Sequence, residues 1–598
     1  GSTMGNFRYF CKGLAGNRSI ERLAIRQCDI REDGWLNLLW PFFENNCNLR
    51  RLELRNCRIG VSGSHNWSFL ASTLSKVNTF SLEQVEIDNI CLGITNEGKG
   101  KIIASLIDHR SLVKLLLTSN GIGENGCVAL GNLLRSPTCK LRDLDLGGNR
   151  VNDEGLNILA DALTKNKTLR KLSLSRNSIV ATGVHTFLTC LQSPSSTLKD
   201  LDLSQNKIDN EGITSLGDML VNNTSLSILN LGSNKNITAT GWRTFFTRLQ
   251  NPSSAMMFLD LSSNSIDDEG ATGLRNMITD NTALKMIDLS RNNSIGTVGG
   301  RAFFSAIHGP NSALEKLWLY SNCIGNEGAA ILANGLANNT TLKYLSLSNN
   351  RQISSTGWLN FFNLMQNPNS ALEELEFDCN EINNEGVDAL VGSLGSISSL
   401  KSLDLGSNAA TPQGWQAMTH LLRRRNCTLT KLRLHDNDIN DDALIAFAHA
   451  LVGNNRLSKL SLDDCDEITT RGWAALTNVL CDKSSIDAIF SSNHTLKKIC
   501  YDEEDLPSDL LALFQLNRNN TIPGAARQKI IKYHFLNDDI NIEAFVGMEL
   551  KMLPFALSWI GRDDTGFPLL YRLSRSMPYL FESNKKVKDS VVSKRKRV

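Results

Sequence analysis

The chain has 598 residues, a formal net charge of +2, 41% hydrophobic residues and 21% charged residues. That balance excludes a global field drawing the protein to nucleic acid or to a membrane, and no run of about 18 apolar residues predicts a transmembrane helix. The length excludes one simple globular core and leaves either several domains or an elongated repeat array.

The first ten residues, GSTMGNFRYF, lack the basic start and apolar run of a signal peptide. Gly1–Thr3 before Met4 reads as a cloning remnant, so the natural start could lie elsewhere. Phe7, Tyr9, Phe10 and Leu14 are apolar at helical spacing and predict an N-terminal cap over residues 1–19, because a terminal repeat needs its core covered. The 14 cysteines are scattered without a CxxC pair, which predicts reduced, mostly buried thiols in an intracellular protein, cytoplasmic or nuclear.

From residue 20 the pattern L-x-x-L-x-L-x-x-N-x-I recurs. Copies begin at Leu112, Leu141, Leu169, Leu198, Leu226, Met256, Leu284, Leu314, Leu342, Leu372, Leu400, Leu429 and Leu457, with weaker ones at Ile20, Leu49, Val77 and Leu496. From Leu141 to Leu457 they lie 28 to 30 residues apart, short and long units alternating. This period and consensus predict leucine-rich repeats over residues 20–506. L-x-x-L-x-L is a short strand with its leucines inward. The Asn, kept from Asn120 to Asn437 and replaced by cysteine at Cys28, Cys57 and Cys465, satisfies backbone groups at the strand's end.

The irregular stretch 85–100 lengthens one early unit. Short units continue I-x-x-E-G, as at Ile208–Gly212, an acidic helix start. Long units continue T-x-G-W; Trp242, Trp358, Trp415 and Trp473 recur at one position and predict packing between helices on the convex side. Residues 482–495 predict a surface insertion. Past Pro507, helical stretches at 524–535, 543–562 and 566–582 predict a C-terminal cap over 507–583. The tail 584–598 carries Lys585, Lys586, Lys588, Lys594, Arg595, Lys596 and Arg597, which reads either as a nuclear import signal addressed to an import receptor or as a solvated tail.

Alternating 28- and 29–30-residue repeats, each a strand plus a full helix, resemble the ribonuclease-inhibitor-like class of leucine-rich repeat proteins. The resemblance implies an α/β solenoid, an open horseshoe with a parallel β-sheet on the concave face, α-helices on the convex face and a helical C-terminal cap. Members of that class mostly bind proteins; some are innate immune receptors, and one branch activates the GTPase Ran. The C-terminal runs Lys529–Phe535, Met548–Arg562 and Leu569–Pro578 resemble a tail found in a group of algal leucine-rich repeat proteins, which implies no activity. A Ran-type GTPase-activating protein and the sensing region of a larger receptor stand as alternatives. Members of the Ran-activating branch often carry an acidic tail, whereas this chain ends in a basic one.

No nucleotide-binding fingerprint, zinc spacing or G-x-S-x-G elbow is present. His435 stands near Asp436, Asp438, Asp441 and Asp442, but on a repeat turn where acids are the rule. The reading is therefore non-enzymatic, with no cofactor, metal or small-molecule substrate. Pattern positions 3, 5 and 7 point away from the inward leucines and form three rows across the concave face. Most hold small or acidic residues, with acidic belts at Asp143, Asp145, Asp200, Asp202, Asp260 and Asp288 and at Glu374, Glu376, Asp378 and Asp404. Arg22, Arg51 and Arg55 are basic early, Lys431, Arg433 and Lys459 late. Between the belts stand Phe258, Met286, Trp318, Tyr320 and Tyr344. Exposed aromatics rimmed by acids predict a site for a protein partner with a basic surface, and the site residues are these five with Asp260, Asp288, Glu374, Glu376 and Asp378.

Overall fold

The computed structural model describes residues 18–30, 42, 48–59, 67–76, 81–90, 96–192, 196–250, 255–307, 312–502 and 504–535. The predicted N-terminal cap (save residues 18 and 19), the stretches 543–562 and 566–582 and the basic tail lie outside the described residues. Residues 1–352 and 353–598 form two compact units.

Each described repeat is a three- to five-residue strand, a turn and, in most, a helix. In the first unit, the main strands from Arg22–Arg26 to Tyr344–Ser346 pair in parallel with their successors, equivalent repeat positions facing each other. In the second, those from Glu374–Glu376 to Lys498–Cys500 do the same. Inward leucines make the core: Leu201, Leu203, Ile208, Ile213 and Leu216 of one repeat are all 0% exposed. Burying each such side chain stabilises by about 1.5–3 kcal/mol. The strand Gln84–Asp88 sets the early repeat's start at Leu82, not Val77. Within 85–100, the first residues are strand and the last, from Asn96, open a helix. No helix among the described residues is long and apolar enough to cross a membrane.

The asparagines form the expected ladder. Asn292 donates from Nδ2 to Leu289 O at 2.9 Å in its own repeat and to Leu261 O at 3.0 Å in the preceding one, while its Oδ1 accepts from Ile266 N at 3.2 Å. Where cysteine replaces asparagine the thiol still donates, Cys57 Sγ to Ile25 O at 3.3 Å and Cys465 Sγ to Leu434 O at 3.4 Å. The residue before each rung takes a left-handed backbone, from Gln27 (φ 52°) to Asp464 (φ 58°). A non-glycine residue there costs roughly 1–2 kcal/mol; the rung's hydrogen bonds offset it.

A second ladder runs at the helix ends of short units, three residues before the first leucine. Asn223 Nδ2 donates to Leu191 O at 2.9 Å, and its Oδ1 accepts from Leu226 N at 2.8 Å. Asn166, Asn339 and Asn454 repeat the arrangement. Such rungs explain why Asn-x-Ser/Thr triplets abound in this chain.

The alternation of units also has a physical cause. The first helical residue of a short unit binds backbone N–H groups of the following long unit: Asp441 Oδ1 accepts from Thr469 N at 2.8 Å and Gly472 N at 3.0 Å. The T-x-G glycine follows directly, because a Cβ on Gly472 would lie 2.6 Å from Asp441 Oδ1, and one on Gly241 2.4 Å from Asn210 Oδ1. The tryptophans are core residues, Trp242, Trp358 and Trp415 each 0% exposed. They reach deeper than between helices: Trp358 meets Phe377, the inward residue just past the strand Glu374–Glu376, with ring centroids 5.5 Å apart.

Residues 482–495 are not a surface insertion. Helix Ile486–Ser491 buries Ile486 and Ile489 at 0% exposure. The C-terminal helices Ser508–Asn519 and Ile522–Ile530 close this end. Lys529, 0% exposed, donates from Nζ to Leu480 O at 2.6 Å and to His494 Nδ1 at 3.0 Å. With Nδ1 accepting, His494 carries its proton on Nε2, which faces Phe490 O at 3.3 Å. Burial first, then the Lys529 charge, pushes His494 down to about 4, and burial pushes Lys529 down to about 8.

Two outcomes follow. Asn292→Ala strands an amide N–H and carbonyls in two repeats and should cost about 2–4 kcal/mol, read as lost hydrogen-exchange protection in both repeats. For His494 the unfolded chain binds the proton more tightly, so its contribution is complete above about pH 6.5 and is lost toward pH 4, on the order of 2–3 kcal/mol. Amide protection over residues 486–494 and 522–530 should fall across that window, and His494→Gln should remove much of the pH dependence.

Candidate functional site

On the open face of the first unit's sheet, the middle row is locked to its own backbone. Asp145 Oδ1 accepts from Gly147 N at 2.8 Å, Asp202 from Ser204 at 2.9 Å, Asp260 from Ser262 at 2.9 Å and Asp288 from Ser290 at 2.8 Å. Asn230 does the same with Gly232 at 2.9 Å. A short side-chain oxygen two residues before an N–H closes this ring, the bond that also builds Asx turns. Sequence reasoning read these aspartates as a belt and missed the bond, although Asp-Leu-Ser and Asp-Leu-Gly recur.

Trp318 occupies the next position of that row, opposite Asp288. An indole has no oxygen to offer the turn, so the ring lies across the sheet. Its centroid is 6.0 Å from Phe258, two strands back, and 5.0 Å from Tyr344 on the next strand. The register places Met286 between Phe258 and Lys316, and Lys316 beside Tyr344. Phe258, Met286, Trp318, Tyr320 and Tyr344 are all half-buried. They do not stand exposed as expected, because three of the rings cover one another. Tyr320 instead lies under Arg291, whose guanidinium carbon is 5.4 Å from its ring centroid.

Charge around this cluster is only partly compensated. Lys114 pairs with Asp143 and Lys171 with Asp200, both at 2.8 Å, so two acids of the expected belt are neutralised. Among the described residues no lysine or arginine pairs with Asp202, Asp260 or Asp288. Asp260 and Asp288 face each other directly on adjacent strands. Burial holds the Asp288 carboxyl above its ordinary range, and the Asp260 charge adds to the rise. One row over, Glu315 accepts from Lys285 at 2.8 Å and from Lys343 at 2.7 Å, which holds its carboxyl down to about 2. This charge ladder precedes Met286, Lys316 and Tyr344 by one residue and was missed, though the Lys-Glu-Lys alternation is visible in the sequence.

The other candidates fall elsewhere. Glu374, Glu376 and Asp378 are half-buried in the second unit, where Glu376 faces Asp404. Asp404 is held by Arg433 at 3.1 Å, with its carboxyl raised by burial first and by Asp378. Arg26, Glu53, Arg55 and Glu86 form an ion chain in the first unit; Arg22 and Arg51 stay exposed. The acids near His435 disperse, Asp436 taking Ser407 Oγ, Asp441 the backbone of Thr469, and Asp442 Arg471. No group of His, Cys, Asp or Glu among the described residues could hold a metal ion. Cys481 edges an open cleft of about 500 Å³ with Lys483 and Asp509, but burial pushes its thiol up to about 11, which suits no nucleophile.

The family model described as Leucine Rich repeat matches residues 45–63, 139–159, 195–217, 222–245, 256–274, 280–304, 338–359, 369–391 and 425–448. The chain is similar to the ribonuclease inhibitor of Mus musculus, 26% identical over 64% of this chain and 83% of that protein. The Sus scrofa ribonuclease inhibitor is 27% identical over the same shares. It is similar also to NACHT, LRR and PYD domains-containing protein 14 of Mus musculus, 26% identical over 62% of this chain, which spans about a third (33%) of that longer protein. Among solved structures, a chain of the yeast Rad7 and Elc1 complex matches with TM-score 0.38 and 17% identity, over 63% of this chain and 83% of that one.

Asp288→Asn keeps the Oδ1 acceptor, as Asn230 does naturally, and removes the repulsion from Asp260. Because the folded carboxyl is raised, the penalty is complete above its folded pKa and disappears below the unfolded one. The variant should therefore be stabler by about 0.5–1 kcal/mol at pH 7, with the gain vanishing by about pH 3.5. Urea unfolding at the two pH values checks this.

Proposed function

We propose that this leucine-rich repeat protein, ribonuclease-inhibitor-like in its repeats, is a non-enzymatic scaffold that captures a protein partner on the open, concave-side face of its sheet. The observation that carries the reading is the Phe258–Trp318–Tyr344 cluster. It interrupts a row in which Asp145, Asp202, Asn230, Asp260 and Asp288, though not Ser173, are tied to their own backbone. Half-buried rings of this kind present large area at little entropy cost, and burying one under a partner contributes roughly 2 kcal/mol. The adjoining Asp260–Asp288 pair stores a repulsion that a cationic group would relieve, so the partner presents a basic surface. The relatives named ribonuclease inhibitors act, by that name, on a protein.

A second reading rests on the NACHT, LRR and PYD relatives. There the repeats are part of a longer chain, and this sequence would be the sensing region of a receptor. Full-length transcripts carrying further domains upstream would support it.

Trp318→Ala with Tyr344→Ala should weaken capture of the partner by at least about thirtyfold and leave the fold intact, since both side chains lie outside the inward core. Crosslinking pull-down from the native cell, read by mass spectrometry, compares this variant with the parent and with Val298→Ala on a helix. If the double variant retains the same crosslinked proteins in the same yield, this face is not the main contact.

A further inference from the structure

The second candidate surface lies on the helix-end loops of the second unit and does not depend on the aromatic cluster. Helix Met418–Leu422 runs into Arg423, Arg424 and Arg425, with Arg456 at the matching loop one repeat later. Arg423, Arg425 and Arg456 are exposed and Arg424 is half-buried. Arg424 and Arg456 both act on the Cys427 thiol, which places the two charges around one residue. Among the described residues none of the four forms an ion pair, although Lys401, Arg433 and Arg471 in the same unit each hold a carboxylate.

Comparison of repeats explains the imbalance. Two long-unit helices of the first unit also end on arginine, and there an acid of a neighbouring short-unit helix neutralises it. Arg135 pairs with Asp161 of the following repeat at 2.5 Å, and Arg248 with Asp218 of the preceding repeat at 2.7 Å. Arg135 and Arg423 both stand six residues before the next repeat's first leucine; Asp161 and Asp218 stand eight before theirs. The positions equivalent to those acids on either side of Arg423 are His449 and Gly392. A Cβ built on Gly392 would meet nothing within 4 Å. The helix-end ladder fails here too, with Ile397 in place of its asparagine, and it leaves a small pocket of about 20 Å³, room for about one water. Leu394, Ile397, Leu421 and Cys427 line it, and Arg424 overhangs Gly395.

We propose that this edge docks an acidic segment of a protein partner. Its carboxylates would take the places that Asp161 and Asp218 fill in the first unit. Four arginines confined to two adjacent repeats, about 5 Å apart at the strands, match a short acidic stretch better than a nucleic-acid backbone.

The test uses the full chain and a fluorescent peptide alternating leucine and glutamate, with its glutamine counterpart and a single-stranded oligonucleotide of equal charge as controls. Anisotropy should show binding of the glutamate peptide alone. Arg423→Gln with Arg425→Gln and Arg456→Gln should weaken it about tenfold or more. Gly392→Asp with His449→Asp, which restores the internal acids without removing an arginine, should weaken it as well while retaining the parent's thermal unfolding profile. Equal or tighter binding of the oligonucleotide, or peptide binding unchanged in both variants, would overturn the proposal.

Discussion

Everything in this fold rests on one buried amide per repeat. The asparagine closing each strand donates to two carbonyls and accepts from N–H groups of the preceding repeat, and so joins consecutive turns where no regular sheet or helix can pair them. That bonding lets the chain hold a left-handed residue before each rung, at positions filled by serine, arginine, glutamine or aspartate. A buried turn with orphaned amides would not stand. Given the rungs, the strand is fixed in register, and the alternation of inward leucine and outward residue is fixed with it.

That rigidity defines what the open face can do. A short aspartate or asparagine at the middle position is absorbed into the turn, so most of this row is scaffold before it is surface. Trp318 cannot be absorbed, and it spreads over neighbours on either side. The charge beside it is arranged in two ways: Lys285, Glu315 and Lys343 satisfy one another, whereas Asp260 and Asp288 oppose one another. The helix-end edge shows the same logic, in that an arginine is silent where its acid is present and available where the repeat has lost it.

Much of this was legible in the sequence. The inward leucines, the ladder asparagines, the cysteine substitutes and the row of outward residues follow from a pattern with period two inside a longer period. The left-handed residue was not legible, because no glycine marks it except Gly148; the rung supplies from outside what glycine supplies from within. Val77 fits the pattern because Phe80 and Leu82 follow it at three and five residues, but the strand Gln84–Asp88 puts the repeat's first position at Leu82. The reading of 482–495 as surface fails for a related reason: polar letters such as His494 and Thr495 are buried, His494 against Lys529, which lies 35 residues away, and Thr495 against Asn454 O. Register alone brings Phe258, Trp318 and Tyr344 onto neighbouring strands, but their half-burial depends on ring directions that spacing does not encode.

The contact between Asp441 and Gly472, like that between Asn210 and Gly241, makes the unit of inheritance two repeats and not one. Equivalent positions such as Leu198, Met256, Leu314 and Leu372 recur at 58 residues. Removing a single short unit would bring two long-unit helices together and leave the second without the aspartate or asparagine that binds its first N–H groups. A gene encoding this array can therefore lengthen or shorten cleanly only by even steps, and parity is a constraint on its recombination that no single repeat reveals.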